Sequence, residues 1–252
     1  VGKYLMDTVG AGLGGQIPLL ENLPPYNNDG ASGMHVYIPW WLYKEQIGGK
    51  LDFARGYHVE FGGGRGMPGN GSFNFLENQT EGAYGKAYKE AARRYYGSFV
   101  WFDGRGEMIP NEDSFCEIDP EVVDQWGIPV LRFHWKWSDH ELKQAVHMQK
   151  TFAEIITAMG GKVNGTVQTD GSRAIARGGQ NIHEVGTCRM GEDPRTSVLN
   201  PYCQSWDVKN LFVTDGAPIV SNADKNPTLS ILALAWRTTD YILDQMQKRE
   251  VG

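Results

Sequence analysis

The sequence has few cysteines and no long hydrophobic run. Its 252 residues include three cysteines, Cys116, Cys188 and Cys203, an odd number without C-x-x-C spacing. This pattern implies neither a disulfide framework nor a zinc site, and we expect no metal. No apolar run approaches the roughly 18 to 20 residues needed to cross a bilayer, and the N-terminus lacks a signal-peptide pattern. We therefore expect a soluble chain without a membrane span.

The chain also lacks a surplus of basic residues. Its formal net charge is −6, which gives no electrostatic footprint for nucleic acid, so no nucleic-acid partner is expected. There is no internal repeat and no low-complexity tract. The length is enough for one sizeable core or two small ones. The opening residues 1 to 7 look like the middle of a protein, which suggests a fragment or a processed product.

The first half of the sequence favours an antiparallel sheet. Between residues 34 and 100, short alternating stretches such as 57 to 61 are separated by glycine-rich breaks. This alternation is typical of strands with one buried face. The glycine run at 62 to 69 is either a plain connector or a mobile lid over a substrate.

Residues 10 to 15 match G-x-G-x-x-G, the dinucleotide-binding fingerprint. That motif requires a following helix, which Pro18, Pro24 and Pro25 forbid. We therefore predict a flexible loop here, not a phosphate cradle.

Two helices are predicted between the strands and the C-terminal region. Residues 81 to 96 are rich in Ala, Lys and Glu and end at Gly97, as helices often do. Ser138 and Glu141 form an S-x-x-E capping box that opens a second helix, closed at Gly160.

Residues 128 to 137 form the clearest predicted strand. Leu131 and Phe133, with the two tryptophans that follow, share a face that we expect to be packed. Arg132 and His134 occupy the opposite face. They are either exposed to solvent or line a polar cavity, which makes them candidate substrate-binding residues.

The C-terminal region combines a histidine turn, a short strand and a long helix. His183 opens the turn at 183 to 191, and residues 211 to 214 read as a buried strand closed by Asp215 and Gly216. Asn226 is a favoured N-cap and Pro227 a favoured first helical residue. The face expected to pack inward is formed by Leu232, Ala235, Trp236, Thr239, Ile242, Leu243 and Met246.

This order of elements resembles the C-terminal signature of the glucose-methanol-choline (GMC) oxidoreductases, which are FAD-dependent alcohol oxidases and dehydrogenases. The resemblance is close over residues 183 to 243 and looser back to Val1. It implies an α+β fold in which residues 1 to 176 form a substrate domain, an antiparallel sheet flanked by helices. Residues 177 to 252 would then be a strand-helix segment that completes an FAD-binding α/β domain largely absent from this chain.

The resemblance also implies residue roles. His183 matches the family's catalytic histidine, and Asn226 matches its partner position, although Asn226 could instead only cap the helix. Thr8 stands where the family usually has a histidine after Leu-Met-Asp. Asp215 could contact FAD or only form a turn. The implied FAD-contacting residues are Asp215, Gly216, Ala217, Pro227 and Thr228.

The expected function is oxidation of a CH–OH group, in a sugar or another polyol, by hydride transfer to FAD with His183 as general base. The expected partners are the alcohol substrate, an FAD-binding N-terminal portion in the same protein or in a companion chain, and an electron acceptor of unknown type. A non-catalytic carbohydrate-binding module is the alternative, because the chain contains eight Trp and eleven Tyr residues whose rings could stack on sugars.

Overall fold

A computed structural model describes residues 1–26, 36–65, 80 and 82–250 of the chain. Their strands form two antiparallel sheets. The strands are β1 (Lys3–Met6), β2 (Val9–Gln16), β3 (Val36–Ile38), β4 (Tyr57–Gly63), β5 (Phe99–Gly106), β6 (Phe115–Val123), β7 (Pro129–His134), β8 (Lys162–Asn164) and β9 (Val185–Thr187).

The larger sheet has the order β3-β4-β5-β2-β8 and the smaller one the order β7-β6-β1-β9. The helices are α1 (Tyr43–Ile47), α2 (Gly85–Tyr95), α3 (Asp139–Ala158), α4 (Gly171–Ala174) and α5 (Thr228–Lys248), with a 3-10 turn at Pro18–Leu20. Antiparallel sheets flanked by helices confirm the predicted fold class. The boundary predicted after residue 176 stays a prediction, and β9, which lies beyond it, pairs with β1.

The main core lies between the larger sheet and α3. Phe152 of α3 is fully buried and stacks on Phe102 of β5, with ring centroids 5.6 Å apart. The predicted capping box begins this helix: the Ser138 backbone N–H donates to Glu141 Oε2 at 2.6 Å, and Ser138 Oγ accepts from the His140 backbone N–H. The shorter α2 ends at Tyr95, just before Gly97 at φ +68°.

The predicted loop at residues 10 to 15 is wrong, because these residues form most of β2 in the middle of the larger sheet. Glycine suits this strand because the sheet and α3 approach closely. A Cβ on Gly15 would lie 2.5 Å from Ile156 Cγ2 of the helix. The motif therefore serves helix-on-sheet packing. Of the proposed lid, Gly62 and Gly63 end β4, while residues 66 to 69 lie outside the described residues.

Two predicted packed faces are exposed over much of their length, although Trp135 and Trp137 pack against the core as predicted. On β7, Leu131 is 54% and Phe133 60% exposed, because this edge strand has one face left open. On α5, Leu232 is 62% and Trp236 75% exposed, whereas Thr238 is buried. The helix turns its Thr238 side towards residues 200 to 205, and its apolar stripe points away from them.

The predicted buried strand at 211 to 214 is also wrong. Leu211 is half exposed, and Phe212 makes only an isolated bridge with Gln204. The backbone N–H of Val213 donates to Cys203 O at 3.0 Å, so the segment pairs with the preceding turn. None of the helices in the described ranges has the length and apolar character needed to cross a membrane.

Candidate active site

The segment that carries His183 is held by a buried carboxylate. Asp7, just after β1, has no exposed surface. Its Oδ1 accepts from the backbone N–H of His183 at 3.0 Å, and its Oδ2 accepts from Gly179 and Asn181 at 3.2 and 3.3 Å. A carboxylate can accept several hydrogen bonds at once. Asp7 therefore organises the residues that precede the histidine.

The imidazole of His183 lies between two polar side chains. Its Nδ1 is 3.2 Å from Thr8 Oγ1, and its Nε2 is 3.4 Å from Asn226 Nδ2. On the backbone, the His183 carbonyl accepts from Asn222 Nδ2 at 3.3 Å. The two residues singled out in the sequence as a catalytic pair, 43 positions apart, are thus brought together.

The surroundings of His183 favour its neutral form. Burial lowers its pKa, and the positive charge of Arg105 lowers it further, against the opposing carboxylates of Asp7, Glu60 and Glu184. A neutral imidazole near pH 7 can accept a proton. The electrostatics therefore suit a general base.

Charged side chains of the larger sheet surround Arg105. Its Nη2 is 2.9 Å from Asp103 Oδ2, its Nε is 3.5 Å from Glu60 Oε2, and its Nη1 donates to Asn181 Oδ1 at 2.5 Å. Asn181 in turn donates to the Thr8 carbonyl at 2.7 Å. A cavity of about 580 Å³ opens beside Asp103, Arg105 and Asn181, so polar groups of the sheet line the space next to the histidine segment.

Asn226 does not cap α5, contrary to the capping interpretation. The N-cap is Pro227, without a side-chain capping bond, and the helix begins at Thr228. The helix starts one residue later than predicted, and the Asn226 side chain contacts His183 instead of the helix amides. Asn226 and Thr228 are exposed, which leaves the N-terminal end of the helix open.

The residues predicted to contact a cofactor lie close to this end of α5. Asp215 is exposed, and its Oδ1 accepts from the Ala217 backbone N–H at 2.8 Å, which is an Asx turn. The carbonyls of Gly216 and Ala217 accept from the backbone of Gly186 and Cys188, both at 3.2 Å. This pairing ties the predicted cofactor segment to the strand that follows His183.

An apolar cleft of about 530 Å³ lies beside Asn226 and Pro227, bounded by Val185 and Ile219. Asn222 also lines it and is 3% exposed. Within the described residues, Asn222 Oδ1 is buried without a hydrogen-bond partner. A buried acceptor left open in this way calls for a donor from a bound group.

Arg132 and His134 lie on β7, where Arg132 Nε is 2.8 Å from Asp119 Oδ2 and His134 Nε2 is 2.9 Å from Glu117 Oε1. No contact recorded for the described ranges joins either side chain to His183 or Asn226. Their role in substrate binding stays a prediction.

Sequence reasoning missed Asp7, Glu60 and Arg105, and it noted Thr8 only as a departure from the family pattern. The only signal was the Leu-Met-Asp run before Thr8, which gave no hint of a contact with residues 179 to 183. Across the parts of the chain that are described, no group of three His, Cys, Asp or Glu side chains is arranged to hold a metal ion.

The structure thus places an antiparallel sheet beside a histidine–asparagine pair and an open helix start. The family model described as GMC oxidoreductase matches residues 110–235. The chain therefore belongs to the GMC oxidoreductase family, as the sequence predicted.

Similar curated proteins include 2-methyl-1,2-propanediol dehydrogenase of Mycolicibacterium austroafricanum, 33% identical over 63% of this chain and 28% of the relative. Gluconate 2-dehydrogenase flavoprotein of Pantoea cypripedii is 30% identical over 66% of this chain and 27% of the relative. The chain thus spans less than a third of the length of either protein.

The chain is similar to a solved structure of Aspergillus oryzae formate oxidase, whose subject is FAD modification. The alignment covers 98% of this chain and 48% of the formate oxidase chain, with a TM-score of 0.58 and 15% sequence identity. That similarity supports the fold. The relatives' names include a flavoprotein and oxidoreductases of alcohols and sugars, which confirms the predicted FAD-linked class. The carbohydrate-binding module gains no support from the comparisons.

Proposed function

We propose that this chain supplies the catalytic base and the substrate-facing half of an FAD-dependent enzyme that oxidises a CH–OH group in a sugar or polyol. The observation that carries the proposal is the contact between His183 Nε2 and Asn226 Nδ2 at 3.4 Å. It joins a base with a depressed pKa to a neutral amide beside an open cleft.

The chemistry assigned to these side chains is proton removal from an alcohol. Oxidation of CH–OH to a carbonyl releases a proton from oxygen while a hydride leaves carbon. His183 Nε2 accepts the hydroxyl proton. Asn226 donates an N–H to the same oxygen and holds it near His183, without competing for the proton. Bound FAD supplies the hydride acceptor.

The residues around α5 fit the flavin. The apolar cleft suits a flat ring, and the buried acceptor Asn222 Oδ1 suits a ring N–H donor. The backbone N–H groups of Thr228 and Leu229 lie at the positive end of a 21-residue helix, which favours negative charge. We assign Asp215, Gly216 and Ala217 to the edge of the same cofactor site.

The FAD-binding part itself is proposed to lie outside these 252 residues, in the same protein or in a companion chain. The apolar stripe of α5 supports this, because its members Leu232, Trp236 and Leu243 are 62%, 75% and 54% exposed. An exposed apolar surface of this kind usually marks a contact with another polypeptide.

A sugar or polyol substrate is supported by the polar character of the neighbouring sheet. Arg105 and Asp103 place donor and acceptor groups at the cavity that borders the histidine segment. Hydroxyl groups can pair with both. The similarity to dehydrogenases of a diol and of a sugar acid points the same way.

The test is His183→Ala in the flavin-loaded enzyme, this chain together with its FAD-binding part. Flavin reduction, followed by stopped-flow absorbance with the best substrate from a panel of sugars and diols, should slow by about 10² to 10⁴, the range for loss of a positioned base. FAD content should stay unchanged. A variant that reduces its flavin at the wild-type rate would remove His183 from the reaction.

A further inference from the structure

The hydrogen-bonding partners of His183 favour one of its two neutral tautomers. Asn226 Nδ2 is an amide nitrogen, which only donates, and it lies 3.4 Å from His183 Nε2. Nε2 is therefore the acceptor in this contact. In a neutral imidazole the other nitrogen then carries the hydrogen, so Nδ1–H donates to Thr8 Oγ1 at 3.2 Å.

Thr8 is well placed to keep this arrangement. It follows directly after Asp7, and both residues have no exposed surface. The Thr8 backbone N–H donates to Asp7 Oδ1 at 2.7 Å, and the Thr8 carbonyl accepts from Asn181 Nδ2 at 2.7 Å. Its hydroxyl oxygen is thus fixed relative to the histidine segment.

Asp7 also holds the backbone of His183, the other residue in the contact with Thr8. It accepts the backbone N–H of His183 together with those of Gly179 and Asn181. Ile182 within this segment has φ +52°, a costly conformation for a β-branched residue. Such strain persists only where surrounding bonds hold it, and the bonds to Asp7 do so.

We propose that Thr8, supported by Asp7, is a positioning residue that selects the Nδ1–H tautomer of His183 and keeps Nε2 unprotonated, so that it can take the proton of the substrate. The proposal rests on the proposed function of His183 as a base. Thr8 touches neither substrate nor cofactor in this scheme. It acts through the histidine, as an acceptor that orients a ring nitrogen commonly does.

The charged groups facing His183 affect its pKa and are separate from the Thr8 contact that selects its tautomer. Arg105 comes from β5, Glu60 from β4, Asp7 from the end of β1, and Glu184 is the next residue in the chain. Thr8 is neutral, so replacing it leaves all four charges in place. A change in tautomer can therefore be separated from a change in the charges around the ring.

The test compares Thr8→Val, which keeps the shape but loses the oxygen, with Thr8→Ser, which keeps the hydroxyl. Histidine-selective ¹⁵N labelling of the flavin-loaded enzyme and long-range ¹H–¹⁵N spectra report the tautomer of each ring, and the signal that disappears in His183→Gln identifies this residue. Thr8→Val should shift His183 towards the Nε2–H form, whereas Thr8→Ser should keep the wild-type pattern.

Flavin reduction gives a second readout. Thr8→Val should slow the limiting rate about tenfold, corresponding to one lost hydrogen bond, with half-saturation by substrate unchanged. Thr8→Ser should stay within about twofold of the wild type. A loss in Thr8→Ser equal to that in Thr8→Val would contradict the role of the hydroxyl.

Two further outcomes separate this proposal from the function on which it rests. A wild-type tautomer and rate in Thr8→Val, with His183→Ala inactive, would overturn the positioning role and leave the base intact. A wild-type rate in His183→Ala would overturn both.

Discussion

Replacing Asn226 by aspartate separates a catalytic from a structural role for this residue. The change is nearly isosteric but converts a donor N–H, 3.4 Å from His183 Nε2, into a carboxylate oxygen. Because Pro227, not Asn226, is the N-cap of α5, no capping bond is lost. The fold should therefore survive, with a stability change within about 1 kcal/mol from the helix dipole.

The magnitude follows from that distance. Two unit charges 3.4 Å apart attract by about 1 kcal/mol in bulk water and by about 5 kcal/mol at an effective dielectric of about 20. Asn226 is exposed in this chain, so the weaker attraction applies to the chain alone. The stronger attraction applies where a cofactor and its domain cover the site. The attraction stabilises the imidazolium, so a smaller fraction of His183 is neutral and able to take a proton near neutral pH. Flavin reduction there should slow by about 10 to 10³.

The sign of the pH dependence is equally specific. Burial and Arg105 lower the pKa of His183 in the wild type. The rate of flavin reduction should therefore rise with pH and reach its plateau at a lower pH than an ordinary histidine would give. The new carboxylate raises the pKa of His183, since it favours the charged form. In Asn226→Asp the rise should therefore shift to higher pH, and alkaline buffer should restore part of the rate.

The assay is stopped-flow flavin reduction between about pH 5.5 and 9, beside the melting temperature of each variant. Asn226→Ala is the matched control, because it removes the donor without adding charge. It should lower the rate while leaving the pH dependence in place. An Asn226→Asp enzyme with the rate, pH profile and melting temperature of the wild type would refute any role of Asn226 in the reaction.

Further predictions concern stability and association. Gly186→Ala should destabilise the fold by more than about 2 kcal/mol in urea unfolding, because at φ +95° the new Cβ would lie 2.1 Å from Tyr4 O. Gly165→Ala is the matched control, since Gly165 has a similar φ of +84° but no atom within 4 Å of the new Cβ. It should cost only about 1 kcal/mol. Equal losses would contradict this steric reason. Ser138→Ala should cost about 1 kcal/mol in the same assay through loss of the cap, and Ser138→Thr, which keeps the hydroxyl, should restore it. The 252-residue chain alone should retain little FAD by absorbance and should self-associate in light scattering, and Trp236→Glu should reduce that association.

Local sequence patterns determined several elements in advance. The capping box at Ser138, the helix ending before Gly97 and the long C-terminal helix all follow from contacts within a few residues along the chain. Such interactions are encoded in short windows, which is why reading them needs no knowledge of the topology. The histidine turn was likewise recognisable, because its residue types and order are specific.

The tertiary structure alone decided where these elements face. Periodicity marked the apolar stripe of α5 but did not reveal that Trp236 is exposed in this chain, since the pattern identifies a face without identifying what covers it. In the same way, the glycines at 10 to 15 matched a loop motif, yet the close approach of α3 requires them in a central strand.

The candidate site shows the same division. The sequence identified His183 and Asn226 by their resemblance to a family signature, but Asp7 and Thr8 lie 176 and 175 positions from His183 along the chain. No local pattern encodes contacts of that range, because they arise only when β1 and β9 pair in one sheet and bring the two segments together. The sequence thus determined which side chains can do the chemistry, and the pairing of distant strands decided what holds the histidine in place.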